Sequence, residues 1–289
     1  WMSDGTAQGT VPLDSNLTDM MTVTDATFIG NSVFYYDDDG IHGREWWLLD
    51  GVTGVRSRLG LRNVDQVVIE GSRIRFRADD GVHGLEYWTS DGTLAGTQMV
   101  QDINPIGAAS NATSFVKMGG NTYFIANDAT HPSAIWRSDG TAIGTYAISN
   151  IGLNSDWYEG EITNLVATSN QIFFTAIDPI KRKELFVSDG TLAGTHMVKD
   201  INPDNGWCWW CLVQIDSMKV INNKVVFRAG DSVSGREMWV SDGTANGTFM
   251  LEDSNPGPTN SDADQFTVIG NKLFYRAYDA SGNYRLHST

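Results

Sequence analysis

The chain has 289 residues, of which 41% are apolar and 19% charged, with 35 acidic against 20 basic side chains and a formal net charge of -15. That apolar share supports a sizeable core and excludes global disorder, and the acidic excess repels nucleic-acid phosphates and anionic membrane surfaces, so no nucleic acid is expected as a partner. No stretch approaches the roughly 20 apolar residues of a membrane-spanning helix, and the start at Trp1, with no initiator methionine or signal-peptide pattern, reads as a processed or excised part of a longer precursor.

One element recurs along the chain: WMSDGTAQGT (1–10), the worn copy EWWLLDGVTGV (45–55), EYWTSDGTLAGT (86–97), AIWRSDGTAIGT (134–145), ELFVSDGTLAGT (184–195), EMWVSDGTANGT (237–248) and a truncated start, YRLHST (284–289). Anchored on Ser3, Leu49, Ser90, Ser138, Ser188, Ser241 and Ser288, these mark six periods, approximately 1–48, 49–89, 90–137, 138–187, 188–240 and 241–289, of a length that marks propeller repeats.

Within each period a second mark recurs: apolar residues, a two-residue turn and an alternating run. Gly30-Asn31, Gly71-Ser72, Asn222-Asn223 and Gly270-Asn271 are such turns, and the pairs of glycine and asparagine suit the positive dihedrals of type I′ hairpins. The EMWVS-type run predicts a third strand. On it, Trp47, Trp88, Trp136, Phe186 and Trp239 fall on one face and Trp46, Tyr87, Ile135, Leu185 and Met238 on the other, so it is expected to be buried on both sides. DGTxxGT predicts a glycine-rich reversal, and MVQDI (99–103) or MVKDI (197–201) a fourth strand. The expected fold is all-β: a single six-bladed β-propeller of four-stranded blades, its ring closed by N- and C-terminal segments that share one blade.

The copies RADDGVHGLEYWTSDGTLAGTQMVQDINP (77–105) and KELFVSDGTLAGTHMVKDINP (183–203) carry a resemblance to the bacterial ELWxxDGT repeat family, which covers essentially the whole chain. The resemblance implies a secreted or surface-attached protein, often a module of a larger chain, and no established activity. Ala134 stands where the pattern has glutamate, and Tyr284 and Leu286 are read in place of Glu and Trp in the terminal start.

The loops between second and third strands share a face with the long connections from fourth to first strands, here called the upper face. An aspartate stands six residues before the glutamate position in five repeats (Asp39, Asp80, Asp128, Asp178, Asp231), with Asp279 one residue closer. Asp38, Asp39 and Glu45 in one loop, and Asp79, Asp80 and Glu86 in the next, are the hard oxygen ligands that calcium takes, although the spacing is not that of an EF-hand. The competing reading has the aspartates accepting hydrogen bonds within their own turns while the glutamate ties down the loop.

Trp157 and Tyr158 in one long connection, and Trp207, Trp209 and Trp210 in the next, are not explained by strand alternation. Large amphipathic rings on loops suit stacking on sugars or anchoring a partner protein; packing as a satellite cluster is the alternative. Cys208 and Cys211 are expected to form a local disulfide, since zinc would need two further ligands and a redox CxxC belongs at a helix N-terminus. No nucleophile elbow, phosphate loop or zinc-protease signature is present, and His42 and His83 occupy equivalent repeat positions.

The expected function is non-enzymatic binding of a glycan or an extracellular protein, outside the cell or at its surface. The alternatives are a structural or adhesive spacer within a larger assembly, and a polysaccharide-active lyase or hydrolase.

Overall fold

The computed structural model describes residue 3 and residues 5–10, 26–38, 40–105, 107–149, 162–178, 182–203 and 215–289, except for the side chains of residues 178 and 182. It divides into two compact units, Trp1–Thr113 with Gly140–Ala142, and Ser114–Asp139 with Ile143–Thr289.

The first unit holds two four-stranded antiparallel sheets whose strands lie in chain order. One comprises β1 (Ala26–Ile29), β2 (Ser32–Asp38), β3 (Arg44–Asp50) and β4 (Arg56–Arg58); the other comprises β5 (Arg62–Glu70), β6 (Arg73–Asp79), β7 (Leu85–Ser90) and β8 (Gln98–Gln101). Phe34 and Trp46 of the first sheet pack on Leu61, Ile74, Phe76 and Ala78, with Phe34 at 4.6 Å from Trp46 and 5.1 Å from Phe76 between ring centroids.

The second unit holds three four-stranded sheets: β9 (Thr113–Met118), β10 (Asn121–Ala126), β11 (Ala134–Ser138) and β12 (Tyr146–Ala147); β13 (Thr163–Ala167), β14 (Ile172–Asp178), β15 (Arg182–Ser188) and β16 (His196–Lys199); and β17 (Asp216–Ile221), β18 (Lys224–Asp231), β19 (Gly235–Ser241) and β20 (Phe249–Glu252). A three-stranded sheet, β21 (Asp264–Ile269), β22 (Lys272–Tyr278) and β23 (Tyr284–Ser288), follows. Apolar layers join successive sheets: Tyr123 and Ile135 with Phe174, Leu185 with Phe227 and Trp239, and Met238 with Tyr275. The third strands β15 and β19 are apolar on both faces because each lies between two such layers, and a fully buried side chain of this kind contributes roughly 1.5–3 kcal/mol.

The SDGTxxGT element folds into one repeated turn. Ser90 Oγ lies 2.7 Å from Thr97 Oγ1 and accepts from Gly92 N at 3.1 Å; Asp91 Oδ1 accepts from Thr93 N and Thr93 Oγ1, and Thr93 Oγ1 accepts from Gly96 N. Ser188 and Ser241 repeat the arrangement, and Ser3, paired with Thr10 at 2.6 Å, opens it again in the first unit. A Cβ at Gly96, Gly144, Gly194 or Gly247 would overlap the carboxylate of Asp91, Asp139, Asp189 or Asp242, so the second glycine is a steric requirement.

Two sequence expectations are corrected. Asn222 and Asn223 both have positive φ (48° and 61°), as type I′ requires, but at Gly30, Gly71 and Gly270 the glycine alone is positive, the pattern of type II′. The second residue of those turns thereby avoids the left-handed region, which disfavours a side chain. The terminal repeat start also shifts by one residue. Arg276 pairs with Leu286 as Arg228 pairs with Met238, which places Arg285 at the glutamate position, His287 at the tryptophan position and Thr289 at the serine position. Asp279 therefore also stands six residues before its counterpart, and it accepts from Arg285 Nε at 2.9 Å.

Candidate functional site

Each antiparallel sheet brings the loop between its second and third strands and the connection leaving its fourth strand to the same end. A buried glutamate at the start of the third strand joins the two. Glu86 Oε1 accepts from Ser110 N at 2.9 Å and its Oε2 from Ile103 N at 3.1 Å; Glu184 and Glu237 accept from Ile201 N and Ser254 N in the same way. These three repeats carry Asp-x-Asn-Pro after the fourth strand, and Asn104 and Asn255 close the connection by donating to Ala109 O and Asn260 O, each at 3.2 Å.

Where the tetrapeptide is missing, the anchor changes. Glu45 takes a two-pronged ion pair from Arg58 (2.5 and 2.7 Å), which holds its carboxyl below the usual range, and opposite Ala134 the Ser149 hydroxyl accepts from Ile135 N at 2.8 Å. Glu86 and Glu237 have no such cation among the described residues. Burial pushes each of them up to about 7, with Asp102 and Asp253 adding repulsion.

The aspartates build the loop tips. Asp80 Oδ1 accepts from Val82 N and His83 N, Asp231 Oδ1 from Val233 N and Ser234 N, and Asp128 Oδ1 from Thr130 N and His131 N. Asp80 Oδ2 also holds His83 Nδ1 at 2.7 Å, which raises the imidazole pKa. The turns leave an apolar side chain at the tip: Ile41, Val82 and Val233 are 82%, 69% and 72% exposed.

Of the residues expected to hold calcium, Asp38 Oδ1 accepts from Gly40 N, Asp79 Oδ1 from Gly81 N, and Asp80, Glu45 and Glu86 are engaged as above. Among the described residues no group of three or more His, Cys, Asp or Glu is arranged to hold a metal ion. Each of these carboxylates accepts at least one hydrogen bond from the chain itself. Asp39, Trp157, Tyr158, Trp207, Cys208, Trp209, Trp210 and Cys211 lie outside the described residues.

Two features escaped the sequence reading. Asp65, Asp216 and Asp264 form two-pronged ion pairs with Arg77, Arg228 and Arg276, twelve residues on in each case, across the first two strands. The constant Asp–Arg spacing was their signal. Directly after each aspartate the first strand bulges, and Gln66, Ser217 and Gln265 take left-handed φ of 52°, 56° and 56°; Asn164 does so after Thr163.

No protein-family model matches the chain, and no curated protein matches it. Solved structures similar to it include one from a study of two prolyl endopeptidases (TM-score 0.50, 11% identity, 90% of this chain and 38% of that one) and a Mycobacterium tuberculosis puromycin-hydrolyzing peptidase (TM-score 0.48, 10% identity, 91% and 42%). TolB from Acinetobacter baumannii is also similar (TM-score 0.42, 11% identity, 89% and 63%). The chain spans less than two thirds of each. The first likeness supports a β-propeller-like all-β fold, and at this identity it bears on the fold alone. Among the described residues no helix is long and apolar enough to cross a membrane.

Proposed function

We propose that the chain is a six-bladed β-propeller, closed into a ring by terminal segments that share one blade, and that it serves as a binding module for a glycan or a partner protein outside the cell or at its surface. The blade count is supported by six sheets, the last of which has three strands among the described residues, while another SDGT turn stands at residues 3–10. The resemblance to the ELWxxDGT repeat family supports the location.

The observation that carries the binding reading is the set of loop tips. Ile41, Val82 and Val233 are apolar, largely exposed, and at equivalent positions; Asp80 and Asp231 fix the second and third of them through turn hydrogen bonds. Rigid loops that present apolar groups lose little entropy on engaging a ligand. Nearby carboxylates are meanwhile occupied in holding the loops, which favours binding over catalysis. A panel of soluble glycans and extracellular proteins tests this through the melting temperature. A bound ligand raises it, and Ile41→Ser with Val82→Ser abolishes the rise without altering the unliganded melt. Turnover of a polymer in the panel would support the lyase or hydrolase alternative; no shift with any ligand would leave the spacer as the better reading.

A further inference from the structure

We propose that the upper end of the β17–β20 sheet binds a carboxylate-bearing sugar through Arg228 and Arg236. The inference rests on the glycan-binding reading and names the class of sugar.

Three sheets carry the Asp–Arg pair between first and second strands. In the β5–β8 and β21–β23 sheets it is one fork on one carboxylate: Arg77 on Asp65 at 2.7 and 2.5 Å, and Arg276 on Asp264 at 2.9 and 2.5 Å. In the β17–β20 sheet Asp216 receives a second guanidinium. Arg228 binds it through Nε and Nη2 at 2.9 and 3.1 Å, and Arg236 Nη2 contacts the same Oδ2. The position of Arg236 holds Leu85 in the β5–β8 sheet and Ser133 in the β9–β12 sheet, so the second arginine is no requirement of the repeat.

The Arg228 guanidinium and the Arg236 backbone are held in place. Arg228 Nη1 donates to Ala263 O at 2.7 Å, and the Arg236 backbone is fixed by N–H donation to Asn260 Oδ1 at 3.0 Å and by acceptance from Ser261 N at 3.2 Å. Arg236 Nε is buried and finds no acceptor among the described residues. Burial and the repulsion of Arg228 lower the Arg236 pKa, against the attraction of Asp216 and Asp262. The side chains of Arg228, Arg236 and Asp216 are 18%, 16% and 36% exposed, open to a ligand yet desolvated enough for charge-assisted bonds to be strong.

A planar guanidinium matches a planar carboxylate in two parallel bonds, as a lone ammonium would not. The net charge of -15 disfavours a long polyanion, whereas one carboxylate held within a Debye length, about 8 Å in physiological salt, feels the local pair first. A uronate or sialate unit meets both conditions.

The test is calorimetric titration of the protein with uronate and sialate oligosaccharides, with the same oligosaccharides after reduction of their carboxyl groups, and with neutral glycans. At least one acidic oligosaccharide is expected to bind at least tenfold more tightly than its reduced counterpart. Arg236→Gln is expected to erase that difference while still unfolding in one cooperative transition, and Arg236→Lys to restore part of it. Equal affinity for acidic and reduced forms, or an acid preference that survives Arg236→Gln, overturns the inference while glycan binding stands. If no acidic oligosaccharide binds, the inference is also overturned; the underlying reading falls only if the neutral glycans fail as well.

Discussion

Glu86 and Glu237 are carboxyl groups used as fasteners. Each buries its charge to reach backbone N–H groups on a connection seventeen residues away, and that burial pushes both up to about 7 from an ordinary value of 4.5. Between those values the folded state holds protons that the unfolded chain releases. The stability they contribute is therefore fully present below about pH 4.5 and lost as pH rises through 7, at up to about 1.4 kcal/mol per pH unit for each proton. The urea midpoint is expected to fall between pH 5 and 7.5, and Glu237→Gln, neutral throughout, to flatten that fall by one proton's share. An unchanged slope in the variant would show that Glu237 titrates normally. Turn aspartates such as Asp91 and Asp242, lowered by their threonine partners, lose their contribution only on acidification through the carboxylate range.

At the scale of the element, the first strands combine regular pairing with one left-handed residue. The bulge after Asp264 shifts the β21–β22 register by one residue and leaves Gln265 at φ 56°. That conformation costs a residue with a side chain about 1–2 kcal/mol relative to the right-handed region, and β-branching makes it worse. Gln265→Gly is expected to be neutral or stabilising, and Gln265→Val to cost about 1–2 kcal/mol more than the glycine variant in chemical denaturation. Equal stabilities would mean that the strand can shed the bulge.

The strands and the SDGT reversal were legible because their determinants are local: alternation along EMWVS, and a turn closed within eight residues. The bulge was not. Gln66, Asn164, Ser217 and Gln265 are of three residue types, none of them glycine, so no one residue marks the bulge, and the extra residue is set by which partner the strand meets. The same holds for YRLHST, where aligning the serine of the repeat on Ser288 gave the wrong register and pairing with β22 selected Thr289.

For the molecule as a whole, the carboxylates nominated for calcium are expected to leave the melting temperature indifferent to calcium or a chelator, because Asp79, Asp80 and Glu86 already accept from backbone N–H groups. A calcium-dependent rise of several degrees would show that they act as ligands. By itself the sequence determined the repeat, its strand content and the residues of its turns, since each rests on interactions within one period. Only the tertiary structure decided that the glutamate fastens the next connection, with Arg58 or Ser149 standing in where Asp-x-Asn-Pro is missing, and that Arg236 joins Arg228 on Asp216. Those outcomes depend on groups far apart in the chain meeting at the end of a sheet, where burial and nearby charge set what each carboxylate and guanidinium can do.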